Sequence, residues 1–60
     1  MDRVHRSELK ELLLHLTELK ERLDVIHWEV GEEIPIEKSI RISKASQSLW
    51  ETIGHLTEVI

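Results

Sequence analysis

The fold of this chain is decided by residues 8–30, which read ELKELLLHLTELKERLDVIHWEV. Seven apolar residues in this stretch recur at alternating steps of three and four, the spacing that lines one face of an α-helix. We call this set the first seam: Leu9, Leu12, Leu16, Leu19, Leu23, Ile26 and Val30. It predicts a long helix whose apolar face packs against other helices.

The residues around the first seam predict where this helix begins and ends. Asp2 is a candidate N-cap, because its carboxylate can accept hydrogen bonds from the free N–H groups of the first turn. Gly31 directly follows the last seam residue, where a left-handed C′ position favours glycine. We therefore expect helix 1 over about residues 3–30, with Gly31 in the left-handed conformation.

A second helix is expected after a short turn over residues 31–34. Pro35 suits the first helical position, because the N–H that proline lacks has no intrahelical partner there. Glu37 would then occupy the position from which a carboxylate reaches back to the N-cap N–H as half of a capping box. Helix 2 is expected over about residues 35–59. A connection this short predicts an all-α fold, an antiparallel two-helix hairpin that forms one domain over residues 1–60.

Helix 2 carries its own apolar seam, with Ala45 and Val59 beside it. The second seam consists of Ile42, Ser46, Leu49, Ile53, Leu56 and Ile60. A neighbouring strip combines Trp50 with the small residues Ser39, Ser43, Gly54 and Thr57. Two interpretations of this strip stay open: it allows another backbone to approach closely, or its serines face water.

Chain length and composition predict self-association. A chain of 60 residues is near the lower limit for independent folding and usually needs disulfides, a metal or oligomerisation. Cysteine is absent, which excludes disulfides and thiolate zinc sites. We expect a homodimer or higher oligomer resembling a coiled coil, in the form of a dimeric four-helix bundle. Its predicted self-association core is Leu9, Leu12, Leu16, Leu19, Leu23, Ile26, Val30, Ile42, Leu49, Ile53 and Leu56.

Several large apolar residues lie off the seams. Leu14, Val25 and Trp28 fall on the far side of helix 1, and Trp50 lies beside the second seam. One interpretation is a contact surface for another protein, anchored by an aromatic residue, as is common at interfaces. The alternative is that these are single exposed apolar residues, which are ordinary on protein surfaces.

Two Glu–His pairs are candidate metal ligands. Glu11 with His15, and Glu51 with His55, are each spaced four residues apart and would lie at one height in an antiparallel hairpin. However, Glu51 and His55 belong to the polar outer face of helix 2, so a solvated face is the favoured interpretation. No cofactor and no metal are expected.

Charge and motifs narrow the function classes. The net charge of −4, with eight basic residues dispersed among twelve acidic ones, argues against a nucleic-acid or membrane partner. No membrane span or signal peptide is recognisable, which predicts a small acidic cytoplasmic protein. No nucleophile or phosphate-loop motif indicates an enzyme. The expected function is a non-enzymatic protein-binding or oligomerisation module, such as a small regulator or adaptor. A small RNA-binding hairpin dimer, a metal-binding bundle and a designed helical scaffold are the alternatives.

Overall fold

The computed structural model describes all 60 residues as a helical hairpin. Helix α1 spans Arg3–Val30 and helix α2 spans Ile36–Val59, and the two helices pack against each other. The hairpin is long and thin, with extents of 46 × 15 × 10 Å. The all-α hairpin predicted from the seams is confirmed. Neither helix combines the length and the apolar character that crossing a membrane would require.

Helix α1 begins as its sequence predicts. The Asp2 carboxylate accepts a hydrogen bond from the backbone N–H of His5 at 2.8 Å, and the Asp2 carbonyl accepts from the N–H of Arg6 at 3.1 Å. The second carboxylate oxygen lies 2.6 Å from Nδ1 of the His5 ring. The backbone bond from His5, followed by the bond to its ring, lowers the pKa of the Asp2 carboxyl. Asp2 is therefore the N-cap of α1.

The turn differs from the prediction at Gly31. Its backbone has φ −56° and ψ −31°, which is the right-handed helical conformation, so the expected left-handed C′ position is wrong. The carbonyl of Val30 instead accepts from the N–H groups of both Glu33 and Ile34, at 2.9 and 3.2 Å. A Cβ atom at position 31 would lie only 2.8 Å from the backbone oxygen of His27. Lack of space, and not the sign of φ, explains why glycine suits this position.

Helix α2 begins one residue later than predicted. Pro35 is the N-cap, with φ −57° and ψ 147°, and its carbonyl accepts from the N–H groups of Lys38 and Ser39 at 3.0 and 3.1 Å. No side chain bonds to the cap, so the capping box expected of Glu37 is absent. Glu37 still lies in the first turn, where a negative charge interacts favourably with the helix dipole.

Very little of the hairpin is buried. Ile53 is the one buried residue, with 8% of its surface exposed. The other seam residues that face the neighbouring helix are half-buried, and many large apolar side chains remain exposed. Two helices side by side cover only one stripe of each other, so this fold alone leaves much apolar surface in water.

Candidate functional site

The face of α1 that contacts α2 is displaced from the predicted first seam. Half-buried positions along α1 still alternate at steps of three and four, but they include polar residues. They are Leu9, Leu13, Leu16, Lys20, Leu23, His27 and Val30, with Thr17 beside them. Four first-seam residues thus face α2. The positions between them are taken by Leu13, Lys20 and His27 instead of Leu12, Leu19 and Ile26.

The three displaced seam residues form an exposed apolar row. Leu12, Leu19 and Ile26 each leave 51% of their surface exposed. They are seven residues apart, and two helical turns return almost to the same side of the helix, so the row runs along one flank of α1. Within a single hairpin nothing covers this row.

The second seam faces α1 as its pattern suggested. Ile53 is buried near the middle of the contact, and Ile42, Leu49 and Leu56 are half-buried. Ser46 is also half-buried. The predicted core residues of α2 therefore supply the packing between the two helices of one chain.

Polar side chains join the two helices along one edge of their contact. Nε2 of His27 lies 2.7 Å from Oγ of Ser39, and Oγ of Ser46 donates to the Asp24 carboxylate at 2.5 Å. Lys20 donates to the other oxygen of Asp24 at 2.6 Å. We call this edge the polar edge. It fixes the register of the hairpin, because each interhelical bond demands one axial position of α2 against α1.

Lys20 connects the polar edge to an aromatic residue. Its ammonium nitrogen lies 5.4 Å from the centroid of the Trp50 ring, a distance at which a cation–π interaction is favourable. The hydrogen bond from Lys20, and after it the bond from Ser46, lowers the pKa of the Asp24 carboxyl. Ser43 and Gln47 complete the lining of a shallow cleft beside these groups.

Sequence reasoning missed most of the polar edge. The steps from Lys20 to Asp24 and from Asp24 to His27 are four and three residues, which is the spacing of a helix face. Ser39 and Ser46 are seven residues apart on the other helix. This polar spacing could have predicted a polar contact between the helices, but the regular apolar spacing of the first seam was given more weight.

An apolar flank lies opposite the polar edge. At about 100° per residue, the row of Leu12, Leu19 and Ile26 lies on the other side of the α1 contact face from Asp24. On α2, Ala45 and Val59 lie on the corresponding side, away from the polar edge, and both are exposed. We call these five residues the apolar face. On α1 the hairpin therefore has one polar and one apolar flank, whereas the corresponding row of α2 also includes Lys38 and Thr52.

The residues predicted as a partner surface are all exposed. Trp28 is the most exposed large apolar residue, at 88%, and it lies at the last turn of α1 close to Gly31 and Glu32. Leu14 and Val25 are exposed on α1, and Trp50 is exposed beyond its contact with Lys20. These four residues do not form one patch, because Trp50 belongs to the polar edge and Leu14 lies far along α1 from Trp28.

The predicted metal candidates also lie at the surface. Glu11 and His15 on α1, and Glu51 and His55 on α2, are exposed. Nowhere in the hairpin do three or more His, Asp or Glu side chains come together in a group suited to hold a metal ion.

The surface area of the hairpin is large for its mass. It exposes 5213 Å², whereas a compact monomer of 7.1 kDa is expected to expose about 4,100 Å². The excess of roughly 1,100 Å² exceeds the surface of about 800 Å² that each partner buries in a standard protein–protein interface.

Comparison of the chain with protein-family models, curated proteins and solved structures found no match.

Proposed function

We propose that this chain is a non-enzymatic protein–protein interaction module that self-associates through its apolar face into a dimeric four-helix bundle. The single observation that carries this proposal is the exposed row of Leu12, Leu19 and Ile26, on a hairpin whose only buried residue is Ile53. A second copy placed on that face covers the row and completes an apolar core between four helices.

The energetic case rests on the size of the uncovered surface. Full burial of a Leu or Ile side chain is worth about 1.5–3 kcal/mol, so covering the exposed half of one side chain contributes roughly half of that. The row supplies six such half-exposed side chains per dimer, three from each copy. This gives a gross stabilisation of about 4.5–9 kcal/mol, against an association cost of about 4–15 kcal/mol. Further burial of the half-buried seam residues adds to the favourable side.

The polar edge supports the same choice of face. Its residues satisfy one another within a single chain, through the bonds of His27 with Ser39 and of Asp24 with Lys20 and Ser46. Covering these charged groups would cost desolvation energy, whereas the row of Leu12, Leu19 and Ile26 has no polar side chain to desolvate. Self-association therefore favours the apolar face and leaves the polar edge in water.

In such a dimer Trp28 stays outside the interface, because it lies on the far side of α1 from the apolar row. An exposed tryptophan of this kind suits a contact with another protein, as in a small adaptor or regulator. An RNA-binding role finds less support, because the eight basic residues are dispersed among twelve acidic ones.

Concentration-dependent thermal unfolding tests the proposal. If folding is linked to dimerisation, each tenfold increase in chain concentration stabilises the folded state by about 1.4 kcal/mol, and the Tm rises by several degrees. The measurement is circular dichroism at 222 nm over about a hundredfold range of concentration. A Tm that stays constant across that range contradicts the proposal.

A further inference from the structure

The acidic charge of this chain is concentrated at one end of the hairpin. Residues 23–37 contain five acidic residues and neither Lys nor Arg. The other residues carry seven acidic side chains against eight basic ones, so this segment accounts for the whole net negative charge. The five acidic residues are Asp24, Glu29, Glu32, Glu33 and Glu37.

This segment covers the last turns of α1, the connection and the first residues of α2. We call it the acidic turn. It lies at the end of a molecule 46 Å long, and both chain termini lie at the opposite end. Among these five acidic residues, only Asp24 forms an ion pair, and its partner is the Lys20 ammonium. The turn therefore acts as a localised block of negative charge.

Two hairpins that meet face to face through a twofold axis have two possible arrangements. If the axis runs along the helices, both acidic turns lie at the same end of the bundle. If the axis is perpendicular to the helices and lies in the interface plane, the turns lie at opposite ends. Both are closed arrangements in which the same surface of each copy is used.

The acidic turn discriminates between these arrangements. Packed helices are about 8–10 Å apart, so the same-end arrangement places the two acidic turns side by side at about one Debye length, which is about 8 Å at physiological salt. The opposite-end arrangement separates the two blocks by nearly the full 46 Å of the hairpin. Salt screens charges almost completely at that distance.

The apolar pattern is compatible with the opposite-end arrangement. With the axis level with residues 17 and 18, the α1 helices of the two copies run antiparallel. Leu16 of one copy then meets Leu19 of the other, Leu12 meets Leu23, and Leu9 meets Ile26. Each layer pairs one residue of the exposed row with one that also packs on α2. No charged residue enters these layers.

We propose that a second copy of this chain covers the apolar face with its acidic turn at the opposite end of the bundle. This inference rests on the proposed self-association and assigns the geometry of that same interface. Two consequences for binding follow. Each end of the dimer presents one acidic turn, and the two Trp28 side chains are far apart.

The distance between spin labels tests this geometry. The chain has no cysteine, so Glu32→Cys and Glu18→Cys each provide a single attachment site for a nitroxide, and both native residues are exposed. Pulsed dipolar EPR then measures the label-to-label distance within the dimer. Glu18 lies near the middle of α1, so its labels come within roughly 25 Å in either arrangement, given helix spacings of about 8–10 Å.

The turn label separates the outcomes. The opposite-end arrangement predicts a Glu32→Cys distance near the 46 Å length of the hairpin, together with a short Glu18→Cys distance. Short distances at both sites overturn the orientation while leaving self-association standing. Absence of dipolar coupling at both sites overturns the orientation and the proposed function together. Analytical ultracentrifugation of the labelled samples confirms that neither label changes the assembly.

Discussion

Replacing Leu19 with glutamate puts a carboxylate at the centre of the apolar face. Leu19 is 51% exposed in the hairpin, so a second copy has about half of the residue left to cover. Covering that half contributes roughly 0.75–1.5 kcal/mol per chain, and a twofold dimer contains the residue twice. The substitution thus removes about 1.5–3 kcal/mol from the dimer, before any cost of burying the two carboxylates.

The expected effect is a weaker dimer with an intact hairpin. Since about 1.4 kcal/mol corresponds to a tenfold change in affinity, the dimer Kd rises by at least about 10- to 150-fold. Sedimentation velocity over a dilution series measures the Kd. Glutamate is a good helix former, so the substitution does not by itself disfavour α1.

Leu14→Glu is the matched control. Leu14 is the same residue type on the same helix, is 65% exposed, and lies on the opposite side of α1 from the apolar face. It introduces the same charge without touching the proposed interface, so its Kd stays close to that of the native chain. Equal weakening by both variants, or a native Kd for Leu19→Glu, refutes the choice of face.

The remaining predictions concern the hairpin itself. Gly31→Ala lowers the Tm, because the added Cβ would lie 2.8 Å from the His27 carbonyl oxygen. Replacing glycine with alanine in a right-handed conformation usually stabilises a protein, so a raised Tm would contradict this crowding. The hydrogen bond from Lys20 lowers the pKa of the Asp24 carboxyl in the folded state. The stability that Asp24 contributes is therefore fully present above the ordinary carboxyl pKa of about 3.9, and it is lost as the pH falls through the lower folded-state pKa. Urea unfolding at several pH values is therefore expected to show less acid sensitivity below about pH 4 in Asp24→Asn than in the native chain, and equal sensitivity argues against this linkage. Asp2→Ala removes the N-cap and lowers the helicity and Tm measured by circular dichroism, whereas Asp2→Asn retains most of both because its amide oxygen can still cap the helix. Equal losses in the two variants would show that capping is not the cause.

The ends of the helices were largely predictable because they depend on local chemistry. Asp2 caps α1 through a bond to a residue three positions away, a pattern that is visible in the sequence. Gly31 was predicted in the wrong conformation because two causes favour glycine at a helix end. The common cause is a positive φ. Here the cause is the close approach of the His27 carbonyl, which leaves no room for a Cβ atom and which only the three-dimensional path of the turn reveals.

The face of α1 that packs on α2 was harder to predict. Two sets of positions with the same three–four spacing share four residues, Leu9, Leu16, Leu23 and Val30. The apolar set contains Leu19 where the other contains Lys20. Hydrophobicity alone favours the apolar set. The structure uses the set with polar residues because Ser39 and Trp50 on α2 supply partners for His27 and Lys20. Ser46 adds a bond to Asp24 beside this set. Such pairings depend on residues distant in sequence, and one helix read alone does not show them.

The central claim is that the apolar face is covered by a second copy of the chain, and sedimentation equilibrium of the unmodified protein tests it most directly. The account predicts a mass of twice the 7.1 kDa of one chain at high concentration, falling toward the single-chain value on dilution. A helical, cooperatively folded species of 7.1 kDa at every concentration up to the millimolar range contradicts it.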